Sequence, residues 1–181
     1  MPRFIFPAIL VCLSSQSSPA MSRGDEKGHG GNVVVCKESQ ERKASTELLD
    51  FYEARVLRGL NFDLGTPNLT TQEKVNHALR RLDKFSPKRA ERYRRQAREF
   101  LNGDAQFLRG IELGTVDDSD HVIVPTGCEV VQTAIQREPR FPNEKRYLVR
   151  EDIWEKMTAD HQAGLILHEL IYRELDQPTS I

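Results

Sequence analysis

The chain reads LILHELIYRE over residues 165–174, and two small residues, Ala163 and Gly164, come directly before this segment. The apolar residues follow the i, i+3, i+4, i+7, i+8 spacing of an amphipathic helix: Ala163, Ile166, Leu167, Leu170 and Ile171. Gly164 and Leu165 extend the apolar surface around a second side. We therefore expect a C-terminal helix whose middle is buried on most of its faces.

This helix carries half of a zinc-peptidase motif. His168 and Glu169 match the first two positions of H-E-x-x-H, and Tyr172 stands where the second histidine belongs. His161 does not replace that histidine, because seven residues of helix separate it from His168 by roughly 10 Å. We therefore predict no metal site and no cofactor. A degenerate zinc-dependent hydrolase is the alternative, and it would need ligands from other parts of the chain.

His168, Glu169 and Tyr172 are the catalytic candidates, and a structural role explains them as well. A histidine, a carboxylate and a phenol on a buried helix can form one hydrogen-bonded group that fixes the helix against its neighbours. Metal-free general acid–base chemistry by His168 and Glu169 would need a nucleophile arrangement, and the sequence shows none. The pattern favours a protein that is not an enzyme; if it is one, a metal-dependent hydrolase is expected.

The apolar pattern upstream of this helix changes from helical to alternating after Gly103. Extended segments separated by turns and loops are indicated at residues 107–116, 122–124, 128–136 and 147–149. Successive short strands of this kind predict a small antiparallel β meander. A short helix is expected to follow from Glu151.

Helical periodicity dominates the first half of the chain, after a short strand at Val33–Cys36. Apolar spacing and start signals indicate three helices: one from near Glu47 capped by Ser45 or Thr46, one from Thr71, and one from Pro87 to Asn102-Gly103. The expected class is α+β, with N-terminal helices, the meander and the buried C-terminal helix.

The N-terminus has the composition of a secretory signal peptide. Arg3 precedes an uncharged apolar run from Phe4 to Leu13, and Ser18-Pro19-Ala20 offers a cleavage site after Ala20. The run is shorter than the roughly 20 apolar residues that a membrane-spanning helix needs. A buried N-terminal helix or strand is the alternative. We expect a leader at 1–20, a flexible segment at 21–31 and a single domain at 32–181, in a periplasmic or secreted protein.

Only Cys36 and Cys128 lie beyond the predicted leader. An even pair fits an oxidising compartment, and a bridge would close a loop of more than 90 residues, stabilising the protein by about 4 kcal/mol. Two buried free thiols are the alternative, because the sequence does not fix the pairing geometry. A zinc site is disfavoured, since neither cysteine has a second thiol or a regularly spaced histidine nearby.

The chain carries 26 basic and 27 acidic residues, a net charge of −1. This balance excludes a general attraction to nucleic acid or anionic lipid. The predicted third helix is locally basic, and Arg92 and Arg95 are its candidates for binding a polyanion. The same arginines can simply solvate an amphipathic helix. The acidic run Asp117–Asp120 offers oxygens to calcium, but it lacks the glycine and distal glutamate of a calcium loop and fits a turn.

Three strings taken together resemble a group of uncharacterised secreted bacterial proteins: GGNVVVC at 30–36, PTGCE at 125–129 and LILHELIYRE at 165–174. The resemblance implies an exported domain with a Cys36–Cys128 link, and it carries no activity. Such proteins continue past the helix, whereas Asp176-Gln177-Pro178 stops it here. We expect an exported binding or envelope-associated module. The sequence defines neither its ligand or partner nor its oligomeric state.

Overall fold

The computed structural model describes residues 26–27, 31–114 and 123–175. The predicted leader, most of the 21–31 segment, the acidic run Asp117–Asp120 and the stop at Asp176-Gln177-Pro178 lie outside the described residues. None of the helices in these ranges is long and apolar enough to cross a membrane.

The described ranges contain five α-helices: α1 (Leu49–Arg58), α2 (Thr71–Asp83), α3 (Pro87–Glu99), α4 (Glu151–Trp154) and α5 (Ala159–Leu175). A capping box begins α2, because the Thr70 hydroxyl accepts from the Glu73 amide while the Glu73 carboxylate accepts from the Thr70 amide. Pro87 opens α3, as predicted. This helix runs into a π-helical turn, Phe100–Asp104, where Gly103 at φ 139° leaves the helical conformation.

The same ranges contain seven short strands: β1 (Glu26–Lys27), β2 (Asn32–Cys36), β3 (Ser45–Leu48), β4 (Ala105–Leu108), β5 (Cys128–Gln132), β6 (Ala134–Arg137) and β7 (Tyr147–Arg150). They form two sheets, one in the order β3-β2-β5 and the other in the order β1-β6-β7-β4. The first sheet is antiparallel throughout, and in the second β4 and β7 run parallel.

The α+β class is confirmed, but the strands do not form the single antiparallel meander that we expected. The predicted strand 128–136 bends at Thr133 and passes from one sheet to the other. The amides of Thr133 and Ala134 both donate to the Gly31 carbonyl, at 2.9 and 3.0 Å. After β4 the chain does not turn back directly. It contributes β5 to the first sheet and β6 to the second before it returns as β7, so β7 can run parallel to β4.

The first helix begins later than the sequence predicted. Ser45 and Thr46 do not cap it, because Ser45–Leu48 pairs with β2 as strand β3. Thr46 and Leu48 are buried while the residues between and before them are more exposed, which is the period of a strand. Leu48 ends this strand and stands directly before α1, where its side chain makes no capping hydrogen bond.

The main hydrophobic cluster draws on both sheets and on α2, α3 and α5. Leu165, Ile166 and Leu170 of α5 have no exposed surface, so the expected burial of this helix is confirmed. Ile171 is an exception, since 46% of it is exposed although its spacing placed it on the core stripe. The buried face is instead completed by His168 and Glu169.

Candidate functional site

His168 connects α5 to α1. Its Nδ1 lies 2.8 Å from Oδ2 of Asp50, so the imidazole donates a hydrogen bond to that carboxylate. The His168 ring also packs on the Tyr172 ring, with 4.5 Å between centroids. Two of the three catalytic candidates are therefore in contact. Asp50 completes the group, and sequence reasoning missed it because no spacing relates positions 50 and 168.

Glu169 points into the protein interior. The residue has no exposed surface, and its Oε1 accepts from the Gly31 amide at 3.1 Å. Gln136 on β6 holds the backbone at this position by donating from Nε2 to the Glu169 carbonyl at 2.7 Å. Burial raises the pKa of the carboxyl to about 7. Glu169 thus binds the segment before β2 to α5 and offers no base to solvent.

The contacts of these side chains give no support to the zinc-hydrolase alternative. His168 is engaged with Asp50, and Glu169 is engaged with Gly31. His161 accepts from the Leu48 amide at 3.4 Å. Within residues 31–114 and 123–175, no three His, Cys, Asp or Glu side chains are grouped so that they could hold one metal ion.

A cleft of about 360 Å³ opens beside the His168–Asp50 pair, between α1, α2, α5 and the loop after α1. Its wall is mainly apolar: Phe51, Phe62, Leu64, Ala78, Leu167 and Ile171. The Phe51 and Phe62 rings stack with centroids 4.5 Å apart, and Phe62 is 55% exposed. Sequence reasoning missed this cleft because Phe62 and Leu64 belong to an irregular loop without a periodic pattern.

Four polar side chains line the same cleft: Asp50, Asp63, Arg81 and His168. Arg81 donates to Oδ2 of Asp63 at 3.0 Å, while Oδ1 of Asp63 accepts from the Gly65 amide at 3.1 Å. The Gly65 hydrogen bond, together with His77 and Arg81, lowers the pKa of Asp63. Asp63 therefore stays ionised at neutral pH.

The basic helix α3 holds its arginines in ion pairs. Each of its five arginines lies within 3.8 Å of a carboxylate oxygen. Arg92 lies 2.5 Å from Glu174 of α5, which also pairs with Arg89 and accepts from the Tyr93 hydroxyl. Arg95 is 3.8 Å from Glu99. The two candidates for polyanion binding thus meet acidic partners, although such exposed pairs are weak enough to exchange for a ligand.

Cys36 and Cys128 form a disulfide across the first sheet. The two residues are directly opposite one another in the β2–β5 register, with 4.1 Å between their Cα atoms. The bridge lies in a second hydrophobic cluster with Val34, Leu49 and Tyr52. It thus fastens the sheet on the side that α1 covers.

A buried lysine side chain connects α2 to the start of α5. Lys74 of α2 is 1% exposed, and its Nζ donates to the Thr66 carbonyl and to Oδ1 of Asp160, both at 2.9 Å. Sequence reasoning missed Lys74, because a lysine on an amphipathic helix normally points to solvent. The lysine fixes α2 against the start of α5, next to the cleft.

Comparison of the chain with protein-family models, with curated proteins and with solved structures found no match.

Proposed function

We propose that this chain is an exported, disulfide-linked module that binds a small, largely apolar ligand in the cleft between α1, α2 and α5. The cleft itself carries the proposal. Its volume of about 360 Å³ falls within the range of small-molecule sites, roughly 300–1,000 Å³. Such sites combine an apolar lining with a few convergent polar groups, here His168, Asp50, Asp63 and Arg81.

Export is supported by three features. The disulfide Cys36–Cys128 is typical of oxidising compartments. Residues 1–20 have the composition of a signal peptide. The resemblance to uncharacterised secreted bacterial proteins agrees with a periplasmic or secreted location, and an envelope-associated role would follow from it.

The binding proposal is tested with a neutral fluorescent probe, N-phenyl-1-naphthylamine, added to the full oxidised chain. We expect saturable fluorescence enhancement, because the dye leaves water for an apolar site. Ala78→Leu adds bulk to the cleft wall and should weaken binding by about ten-fold or more. Lys88→Leu adds the same side chain to an exposed position of α3 outside the cleft and should leave binding unchanged.

Equal binding by the Ala78→Leu and Lys88→Leu variants would contradict the proposal, as would enhancement that does not saturate. Thermal unfolding of both variants controls for loss of the fold. Export is tested separately by the mass of protein recovered from its native cell. We expect an N-terminus at Met21 and an oxidised cysteine pair. An intact Met1 on cytosolic protein would overturn the exported location.

A further inference from the structure

We infer that the cleft selects ligands that carry a positive charge next to their apolar body, such as aromatic or alkyl amines. This inference rests on the proposed function, since it names the ligand class of the same cleft. It is carried by the balance of charges along the lining and by the position of the two stacked phenylalanines beside the carboxylates.

The charged lining is unbalanced toward negative charge. With histidines counted as neutral, the cleft presents two carboxylates, Asp50 and Asp63, against one guanidinium, Arg81. Arg81 and Asp63 compensate each other through the 3.0 Å contact at the rim. The other carboxylate, Asp50, is held by the His168 imidazole at 2.8 Å and not by a guanidinium. Its side chain is 44% exposed, so a ligand can reach it.

The aromatic rings lie next to these carboxylates. Phe51 follows Asp50 in α1, and Phe62 precedes Asp63 in the loop. Since the two rings stack at 4.5 Å, the lining of the cleft combines an aromatic surface with the carboxylates of Asp50 and Asp63. The face of an aromatic ring attracts cations and repels anions. A cationic head group therefore gains from the rings and from Asp50, whereas an anionic head group is repelled by both.

The experiment uses three probes that share a benzyl group and a tetrahedral head but differ in charge. They are benzyltrimethylammonium, neutral phenylmethanesulfonamide and anionic phenylmethanesulfonate. Each is titrated at low ionic strength into the full oxidised chain, and amide chemical shifts report affinity and location. We expect the cation to bind about ten-fold or more tightly than the anion, with shifts in α1, α2 and α5.

Asp50→Asn keeps an oxygen for the His168 hydrogen bond and removes the negative charge. We expect it to remove the preference for the cation over the neutral probe, while thermal unfolding confirms that the fold is kept. Glu38→Gln makes the same change of charge on an exposed loop and should leave the preference intact.

The possible failures point to different conclusions. If the anion or the neutral probe binds as tightly as the cation at the cleft, the proposed preference for cations is wrong. The proposal that the cleft binds a small ligand is then unaffected. If none of the three probes shifts cleft residues and the neutral dye does not saturate either, the proposed function itself is wrong.

Discussion

Glu169 is an acidic side chain whose protonation depends on folding. Burial against Gly31 and β6 raises its pKa from 4.5 to about 7. Oε1 already accepts the Gly31 amide, whereas Oε2 is buried without a hydrogen-bond partner among residues 31–114 and 123–175. A proton can therefore bind to the second oxygen without displacing a hydrogen bond. The folded protein keeps this proton over a pH range in which the unfolded chain has released it.

The free energy of unfolding should consequently depend on pH through this residue. Because the Glu169 carboxyl has a higher pKa in the folded state than in the unfolded chain, its protonation stabilises the fold. This stabilisation is fully present below about pH 4.5 and is lost as the pH rises through about 7. A difference of this size corresponds to about 3 kcal/mol. Glu169→Gln keeps an acceptor for Gly31 but takes up no proton. In urea unfolding, the free energy of unfolding of the variant, taken relative to that of the wild type, should increase by about this amount between about pH 5 and about pH 8.

Subtraction of the two pH profiles isolates Glu169 from other titrating groups. Burial lowers the pKa of His161, which opposes folding at low pH, but both proteins contain this histidine. Parallel profiles for the wild type and Glu169→Gln would show that the carboxyl is not protonated in the folded protein near neutral pH.

α5 meets α1 and β3 at a position where only glycine fits. A Cβ atom on Gly164 would lie 2.6 Å from Cζ of Phe51 and 2.8 Å from Cδ2 of Leu48. Leu48 is fully buried and Phe51 is held in its stack with Phe62, so neither side chain can move away freely. The glycine thus lets α5 approach α1 closely and shapes the floor of the cleft.

Gly164→Ala should therefore destabilise the protein, although alanine favours helices. The gain in helix propensity is about 1 kcal/mol, and overpacking a core costs about 1–3 kcal/mol. We expect a lower melting temperature by thermal unfolding. Phe51→Leu in the same background shortens the side chain in the contact and should restore part of the loss. A variant more stable than the wild type would show that the helix can shift away at little cost.

α3 offers a second test at this scale, because Glu174 compensates Arg89 and Arg92. Glu174→Gln should free both arginines and raise the salt concentration needed for elution from heparin. Arg92→Gln with Arg95→Gln should lower it. Glu155→Gln, which removes one of the two carboxylates that pair with Arg109 on another surface, is the control with the same change of net charge. Identical elution of all four proteins would remove polyanion binding by α3 from consideration.

The disulfide acts on the whole molecule, because it joins positions 92 residues apart in sequence. Closing so long a loop lowers the entropy of the unfolded chain and stabilises the protein by about 4–5 kcal/mol. Reduction, or replacement of Cys36 and Cys128 by alanine, should lower the free energy of unfolding by about this amount in urea. The double variant should not respond to a reducing agent. An unchanged wild type after verified reduction would contradict this role.

The sequence predicted those parts of the molecule that depend on local signals. The starts of α2 at Thr71 and of α3 at Pro87 were predicted from local signals, although Ser86 makes no capping hydrogen bond, and the periodicity of α5 predicted its burial. The pairing of Cys36 with Cys128 was expected because two cysteines in an oxidising compartment tend to form a disulfide. The distance between them could not be read from the sequence. The helix start near Glu47 was wrong because cross-strand pairing with β2 outweighed a local capping signal.

Features that depend on contacts distant in sequence could not be predicted. The division of residues 128–136 between two sheets is set by Gly31, whose carbonyl binds the amides on either side of the bend. The candidate site depends on Asp50 meeting His168 and on Phe62 stacking on Phe51. These pairs arise only when α1, its following loop and α5 are packed together, and no spacing in the chain encodes that arrangement.

The Cys36–Cys128 bond also makes the chain a covalent ring that contains α1, α2, α3 and β4. A protease that cuts once anywhere inside this ring produces no separate fragment, because both new ends remain attached through the sulfur atoms. Nicked molecules would therefore remain one covalent unit, heavier only by the water added on hydrolysis, until a reductant releases the pieces. One crosslink thus keeps more than half of the polypeptide from dispersing after a single cut.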